Sequence, residues 1–185
     1  MPTIVVWGDS HIPHRAHRLP PLFLKYVDRL KPSKLICTGD LVTIGVLKIF
    51  RDMSYEVVAV RGNMDEGEAE KLPLKVSLEI NDLDIVVFHG HGIYPRGDSK
   101  KLYAIAKDNN ADMILTGHTH SPLARKYKDV LIVNPGSICG VWGGSGGYGY
   151  PTWAVLDISD RRVRTKIMQI VSGRIEVYEE KSFEL

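Results

Sequence analysis

The chain has 185 residues, of which 44% are hydrophobic and 25% are charged, and this composition is typical of one soluble globular domain. The 24 Lys and Arg residues and 22 Asp and Glu residues give a net charge of +2, which excludes a strongly polybasic nucleic-acid-binding protein and an acidic tail. The apolar runs are only a few residues long, whereas a membrane-spanning helix needs roughly 20 residues. We therefore expect no membrane partner.

The first half of the chain alternates between strand and helix patterns. Continuous apolar, β-branched runs predict strands that are buried on both faces, and apolar residues at helical spacing follow the first two runs. In chain order, the predicted elements are a strand over Thr3–Trp7, a helix from about Arg18 to Leu30, a strand over Lys34–Thr38, a short helix from about Val42 to Met53 and a strand over Tyr55–Val60. This repetition predicts parallel pairing with right-handed crossovers.

The second half of the chain is richer in strands. The alternating segment Leu74–Ile80 predicts a strand with one face in water, and Asn81-Asp82 predicts a tight connection to the next strand. The remaining predicted elements are strands over Asp84–Phe88 and Asp112–Thr116 with a helix over Ser99–Asn109 between them, a hairpin of Leu123–Tyr127 and Val130–Val133, and strands over Trp153–Ile158, Val163–Ile170 and Arg174–Tyr178. Two mixed sheets that face each other, with helices outside, fit this order best and indicate an α/β fold.

The two cysteines, Cys37 and Cys139, follow no spacing typical of a disulfide framework or a metal site. The N-terminal residues lack the basic and long apolar segments of a secretory leader. Both features predict a reducing, cytoplasmic location.

Polar side chains follow five of the predicted strands, at the point where each strand ends. Because ligands of α/β proteins bind outside the carboxyl ends of the strands, we expect these side chains to meet at one edge. Imidazole and carboxylate together suit Mn, Fe, Co, Ni and Zn, and seven ligands suit two ions that share a carboxylate better than one tetrahedral ion. Each residue alone is also typical of a turn or loop, so the prediction depends on the whole set. The set is Asp9, His11, Asp40, Asn63, His89, His118 and His120.

The order and content of five short motifs resemble the calcineurin-like metallophosphoesterase superfamily. The motifs are Asp9-Ser10-His11, Gly39-Asp40, Gly62-Asn63-Met64-Asp65, His89-Gly90-His91 and Gly117-His118-Thr119-His120. The short chain and the turn Asn134-Pro135-Gly136-Ser137 are similar to the small bacterial and archaeal phosphodiesterase branch. The resemblance covers almost the whole chain, and it implies a single metallophosphoesterase domain over residues 1–185 with a four-layer αββα sandwich.

The resemblance also implies two divalent metal ions, with manganese expected first and nickel, iron, cobalt or zinc as alternatives. By the family pattern, Asp9, His11 and His120 would hold the first metal, Asn63, His89 and His118 would hold the second, and Asp40 would bridge the two. His91 would stand beside this ligand set rather than within it.

The implied activity is the hydrolysis of a small phosphodiester substrate. A hydroxide between the two metal ions would attack phosphorus in line, with Asp40, Asn63 and His91 as the catalytic residues. Asn63 and Arg15 would contact the substrate, although the basic segment that contains Arg15 equally suits a solvated loop.

One position departs from the larger members of the superfamily, which carry a histidine after the asparagine of the third motif. Here that position is Met64, which cannot donate a proton to the leaving group. The small branch often lacks the histidine as well, so the resemblance holds while the identity of the general acid stays open. We expect a preference for esters with good leaving groups, such as aryl phosphodiesters.

Other functions are compatible with the same residues. One is a protein-binding scaffold of this fold, as in a retromer subunit with a degraded metal site, although all seven ligand positions here keep competent residue types. The modest net charge argues against a nuclease, and metal ligands do not distinguish a phosphomonoesterase from a phosphodiesterase. A homodimer is the default expectation for assembly.

The segment Gly140–Tyr150 contains six glycines in 11 residues. Such a segment fits a lid over the site, because glycines allow alternative backbone conformations. It equally fits a surface loop or a contact between subunits.

Overall fold

Two β-sheets pack face to face in the computed structural model, which describes residues 2–144 and 146–185. The elements in chain order are β1 (Thr3–Trp7), α1 (Pro21–Leu30), β2 (Lys34–Cys37), α2 (Gly45–Asp52), β3 (Val57–Ala59), a 3-10 helix (Gly67–Lys71), β4 (Lys75–Ile80), β5 (Leu83–Phe88), α3 (Ser99–Asp108), β6 (Met113–Leu115), β7 (Leu123–Tyr127), β8 (Val130–Asn134), β9 (Thr152–Ser159), β10 (Arg162–Val171) and β11 (Arg174–Glu184). Within the described ranges, no helix is long and apolar enough to cross a membrane.

Both sheets are mixed, as predicted. In the described residues the first sheet has the order β11-β10-β9-β1-β2-β3, in which β1, β2 and β3 are parallel and β9 runs antiparallel to β1. The second sheet has the order β4-β5-β6-β8-β7, in which β5, β6 and β8 are parallel and the two edge strands are antiparallel. The parallel strands of each sheet bring their carboxyl ends to the same edge, where the polar loops lie.

The apolar side chains separate into three clusters that define four layers. Ile4 and Val6 of β1 belong to the cluster between the sheets. Val5 and Trp7 of the same strand pack with residues of α1 and α2 on the outer face, and α3 covers the outer face of the second sheet. The predicted αββα sandwich is therefore confirmed, and burial on both faces explains why β1 is apolar at consecutive positions.

Two predicted helices begin later than the apolar pattern indicates. The helix predicted from about Arg18 begins at Pro21, because a residue that precedes proline is disfavoured in helical conformation and Pro20 is therefore extended. The helix predicted from about Val42 begins at Gly45. Val42 has a φ of +74° and pairs with Ile12 in an isolated β-bridge, so it belongs to the loop beside the functional site.

The last strand is longer than predicted, since it ends at Glu184 instead of Tyr178. Its pairing with β10 shifts register between Ile167 and Met168, and this irregularity breaks the alternation that a sequence pattern would follow. The strand also lies at the edge of its sheet and carries several charged residues, which hide the strand pattern.

Candidate metal centre

The loops that follow β1, β2, β5 and β6 are joined by hydrogen bonds between their backbones. The Asp9 N–H donates to the Gly39 carbonyl at 2.9 Å, which links the loops of the first sheet. The Gly117 N–H donates to the His89 carbonyl at 2.8 Å, which links the loops of the second sheet. A further hydrogen bond links the loops of one sheet to those of the other, because the His118 N–H donates to the Asp9 carboxylate at 3.1 Å. The four loops therefore form one rim across both sheets.

Four of the predicted ligands converge in a first cluster at this rim. One ligand atom from each of Asp9, His11, Asp40 and His120 lies within 4.8 Å of the others, and all four residues are buried. His11 Nε2 is 3.1 Å from His120 Nε2 and 3.4 Å from Asp40 Oδ2, and His120 Nε2 is 3.3 Å from Asp9 Oδ1. Two imidazole nitrogens and two carboxylates thus face a common point.

A second cluster shares Asp40 with the first. Ligand atoms of Asp40, His89 and His118 also lie within 4.8 Å of one another, and these residues are buried. His89 Nε2 is 3.3 Å from Asp40 Oδ2 but has no aligned hydrogen-bond partner among the described residues. A buried, unpartnered imidazole nitrogen beside a carboxylate is the donor arrangement that a divalent cation would satisfy. The residues present therefore fit a metal ion.

Backbone carbonyls set the tautomer of two of these histidines. The Nδ1–H of His89 donates to the Thr38 carbonyl at 2.7 Å, and the Nδ1–H of His120 donates to the Val141 carbonyl at 2.7 Å. A carbonyl oxygen only accepts, so in each ring the proton of the neutral form resides on Nδ1. The Nε2 lone pair is then directed into the cluster, as a metal ligand requires.

Two histidines of the clusters are held neutral. Burial lowers the pKa of His11 to about 4, although the carboxylates of Asp40 and Asp9 act in the opposite direction. Burial, reinforced by the positive charge of His89, lowers the pKa of His118 to about 4. Both imidazoles can therefore act as ligands at neutral pH without losing a proton.

The other two histidines retain protons more strongly in the absence of a cation. Burial acts to lower the pKa of His89, but contact with Asp40 and the charge of Asp9 outweigh it and raise the pKa to about 9. The same balance, with Asp9 as the principal partner, raises the pKa of His120. Burial acts to raise the pKa of Asp40, but His89 and the Met64 N–H outweigh it and hold the pKa well below its usual range. The shared carboxylate is thus ionised at neutral pH.

Asp65, the last residue of the third motif, positions the shared carboxylate although no role was predicted for it. Its buried side chain accepts from the N–H groups of Gly62 at 2.7 Å, Val42 at 2.8 Å and Asp40 at 3.2 Å. Burial raises the pKa of Asp65, while the first two N–H groups act to lower it. The Met64 N–H in turn donates to Asp40 Oδ1 at 2.8 Å. No periodicity or spacing in the sequence indicates this role, because the three hydrogen bonds depend on the conformation of the loops.

Gly62 is required by the close approach of this loop to Asp40. A β-carbon at position 62 would lie 2.0 Å from Asp40 Oδ1 and 2.4 Å from the Asp40 nitrogen. Both distances are too short for any residue with a side chain. The glycine of the third motif therefore leaves room for the carboxylate that both clusters share.

The turn after β8 supports the loop of the first motif. The Ser137 hydroxyl donates to the Asp9 carbonyl at 2.7 Å, and the Asn134 side-chain amide donates to the Gly117 carbonyl at 2.8 Å. These hydrogen bonds explain structurally why the turn accompanies the ligand motifs in the sequence.

The remaining predicted residues lie around the mouth of the rim. Asn63, Met64 and Arg15 line a cavity of about 120 Å³. Its other lining residues are His11, Asp40, Arg96, His118, His120, Gly143 and Gly144. Asn63 is exposed and lies in the lining of this cavity. His91 is half-buried, and its ring lies 5.6 Å from the ring of His89 and 5.9 Å from that of Phe88. Burial, followed by the charge of His89, lowers the pKa of His91.

The αββα sandwich carries two clusters of histidine and aspartate around one shared carboxylate, and this arrangement suits the binding of divalent cations. The model of the calcineurin-like phosphoesterase superfamily domain matches residues 3–161, and the chain belongs to this superfamily. A probable metallophosphoesterase of Methanocaldococcus jannaschii is 40% identical over 134 residues, which cover 72% of this chain and 67% of that protein.

Solved structures that are similar to this chain include Vps29 and a phosphodiesterase. Vps29 of Entamoeba histolytica in complex with zinc is 28% identical, with a TM-score of 0.87 over 97% of this chain and 98% of that chain. An archaeal phosphodiesterase is 27% identical, with a TM-score of 0.68 over 89% of this chain and 99% of that chain. The fold of this chain is therefore shared by Vps29 and by an archaeal phosphodiesterase.

Proposed function

We propose that this protein is a dinuclear metal-dependent phosphodiesterase in which one domain over residues 1–185 holds two divalent ions. The observation that carries the proposal is the position of Asp40, whose carboxylate belongs to both clusters of ligand atoms. A shared carboxylate is the simplest way to hold two cations at the separation that in-line displacement at phosphorus requires. The relationship to a probable metallophosphoesterase supports the same class of reaction.

Each cluster would hold one ion, with Asp9, His11 and His120 on one side of Asp40 and with His89, His118 and Asn63 on the other. Bound there, the ions would polarise the phosphoryl oxygens and supply a nucleophilic water at neutral pH. The imidazoles of His89 and His120 are oriented for this role by the carbonyls of Thr38 and Val141. Manganese, with nickel, iron, cobalt or zinc as alternatives, suits this mixture of nitrogen and oxygen donors.

The exposed side of the site would orient the substrate. Asn63 faces the mouth and could donate its amide to a phosphate oxygen while its carbonyl oxygen contacts an ion. Arg15 lines the same cavity and would bind a second phosphate oxygen. His91 packs against His89, so we assign it a positioning role for that ligand. Met64 cannot itself donate a proton to the leaving group.

Hydrolysis of bis(para-nitrophenyl) phosphate tests the proposal. We expect manganese-dependent turnover by the wild type and its loss in Asp40→Asn, which weakens the shared ligand without changing its size. Asp129→Asn is the matched control, because Asp129 is exposed and pairs with Lys107 instead of the site. Turnover by Asp40→Asn at the wild-type rate, or no turnover by the wild type with any of the five metals, would contradict the proposal.

A second candidate function is a protein-binding scaffold, and for either function we propose a cytoplasmic location. The similarity to Vps29 over nearly the whole chain favours it. A wild-type protein that binds manganese in calorimetry but hydrolyses neither mono- nor diesters would support the scaffold instead of the phosphodiesterase. Sedimentation of the same sample would test the expected homodimer.

A further inference from the structure

The glycine-rich segment after Gly140 is attached to the metal centre at two points. The Val141 carbonyl accepts from His120 Nδ1 at 2.7 Å, and the Tyr148 N–H donates to the His120 carbonyl at 3.0 Å. Between these anchors, the Gly143 N–H donates to the Gly146 carbonyl at 2.7 Å and closes a turn. We call the described residues between the anchors, 142–144 and 146–147, the glycine loop; Ser145 lies outside the described residues. The loop contributes Gly143 and Gly144 to the wall of the mouth.

Two arginines from opposite sides of the mouth hold successive carbonyls of this loop. Arg15, which follows the first motif, donates from Nη1 to the Trp142 carbonyl at 2.6 Å. Arg96, which follows the fourth motif, donates from Nη1 to the Gly143 carbonyl. Both guanidinium groups also line the cavity of the metal centre. Each of these two hydrogen bonds joins a cation to a neutral carbonyl oxygen.

A phosphate ester would be a stronger partner for these arginines than the loop. Guanidinium binds anionic oxygens through shorter and stronger hydrogen bonds than it makes with carbonyls, and its planar fork matches the geometry of phosphate. The loop has room to yield, because a cavity of about 200 Å³ lies against it and is lined by Trp142, Gly146 and Gly147 among others. The glycines reduce the free energy required for a new backbone conformation.

We propose that Arg15 and Arg96 form an anion clamp that exchanges the carbonyl oxygens of Trp142 and Gly143 for the phosphate oxygens of the substrate, so that the glycine loop moves when a phosphate ester binds. The inference rests on the proposed function, since it takes the ligand to be a phosphate ester. It adds Arg96 as a substrate-binding residue and makes the loop a substrate-responsive element. The anchors on His120 confine the movement to the glycine loop as defined above.

Trp142 provides a fluorescence signal for the exchange. Its side chain is 64% exposed, whereas Trp7 and Trp153 are fully buried in the core. Its ring centroid lies 5.9 Å from the Arg15 guanidinium carbon, so release of the loop would change the charge beside the indole. We expect inorganic phosphate and phenylphosphonate, added to the metal-loaded protein at constant ionic strength, to produce a saturable change in tryptophan emission. The change should disappear in Trp142→Phe.

Arginine variants test the clamp itself. Arg15→Gln and Arg96→Gln should each weaken phenylphosphonate binding by about tenfold, as expected for the loss of one charge-assisted hydrogen bond. Arg15→Lys and Arg96→Lys keep the charge but lose the fork, and we expect intermediate affinities. Arg29→Gln, at the exposed end of α1, is the matched control and should bind as the wild type does.

The outcomes separate this inference from the proposed function. Unchanged phosphonate affinity in both glutamine variants, or calorimetric binding without any change in Trp142 emission, would overturn the clamp even if the protein hydrolyses diesters. Arginine-dependent binding with the Trp142 signal in a protein that hydrolyses no diester would uphold the clamp and contradict the phosphodiesterase.

Discussion

Asp65→Asn isolates the contribution of the residue that holds the shared carboxylate in place. Asp65 is buried and presents Oδ1 to the Val42 N–H at 2.8 Å and Oδ2 to the N–H groups of Gly62 and Asp40 at 2.7 and 3.2 Å. Asparagine has nearly the same shape but only one oxygen. With that oxygen facing Gly62 and Asp40, its amide group faces the Val42 N–H, and two donors then oppose each other.

The magnitude follows from this geometry. The variant loses one hydrogen bond to a charged acceptor, about 1.5–3 kcal/mol, and leaves the buried Val42 N–H without an acceptor, about 1–3 kcal/mol. Because these contributions overlap, we expect the free energy of unfolding to fall by about 2–4 kcal/mol. The metal affinity should fall by roughly 10–100-fold, since Asp40 loses part of its support.

Urea unfolding with a chelator present measures the free energy of unfolding. Calorimetric manganese titration under native conditions measures the metal affinity. Asp129→Asn removes an exposed carboxylate by the same chemistry and should behave as the wild type in both assays. An Asp65→Asn protein with wild-type unfolding and wild-type manganese affinity would refute the reasoning, because the three N–H groups would then have no need of the carboxylate.

Further substitutions and a pH measurement test neighbouring parts of the site. Gly62→Ala should reduce diester hydrolysis by roughly 10–100-fold, because its β-carbon would lie 2.0 Å from Asp40 Oδ1. Gly45→Ala at the start of α2 is the control and should leave hydrolysis unchanged. Equal rates for the two variants would contradict the steric account. His89 has a pKa of about 9 without a cation and binds metal only when neutral, so manganese binding at about pH 7 should release about one proton from it, with a further fraction from His120. Because protons compete with the cation for His89, the manganese affinity should fall as the pH falls. Calorimetry in buffers of different ionisation enthalpy measures the proton release, and a result of no release would contradict the prediction. Met64→His restores a proton donor at the mouth and should raise hydrolysis of alkyl diesters relative to aryl diesters; an unchanged ratio would show that Met64 does not limit the leaving group.

The sequence was sufficient for the fold because its strongest signals are local. The continuous apolar run of β1 reflects burial on both faces, and the strand–helix order of the first half determines the parallel pairing of β1, β2 and β3. The starts of α1 and α2 differ from the prediction because a proline or a loop hydrogen bond outweighs the apolar pattern there. Pro20 delays α1, and Val42 is drawn out of α2 by its bond to Asp65.

The convergence of ligand-type residues was also predictable, because every strand that supplies them ends at the same edge. Asp9, His11, Asp40 and His120 meet in one cluster, and His89 and His118 meet Asp40 in the other, as the strand order requires. Contacts that depend on loop conformation could not be predicted. Neither periodicity nor spacing indicates that Asp65 accepts hydrogen bonds from three N–H groups. Nor does either indicate that two arginines, from the loops after β1 and β5, hold the glycine loop.

The backbone of the site shows why those loop conformations are set by the whole fold. Five ligand-type residues have φ values between +48° and +68°, in the left-handed region that side chains disfavour; they are Asp9, His11, Asp40, His118 and His120. Each such conformation costs roughly 1–2 kcal/mol, so together they oppose folding by an amount comparable with the entire stability of a typical domain. The loops adopt these conformations only because hydrogen bonds between loops and the cores on both sides of each sheet offset the strain. The cations proposed for the two clusters would offset part of this cost, because they would bind these five side chains in the conformations that the loops already hold.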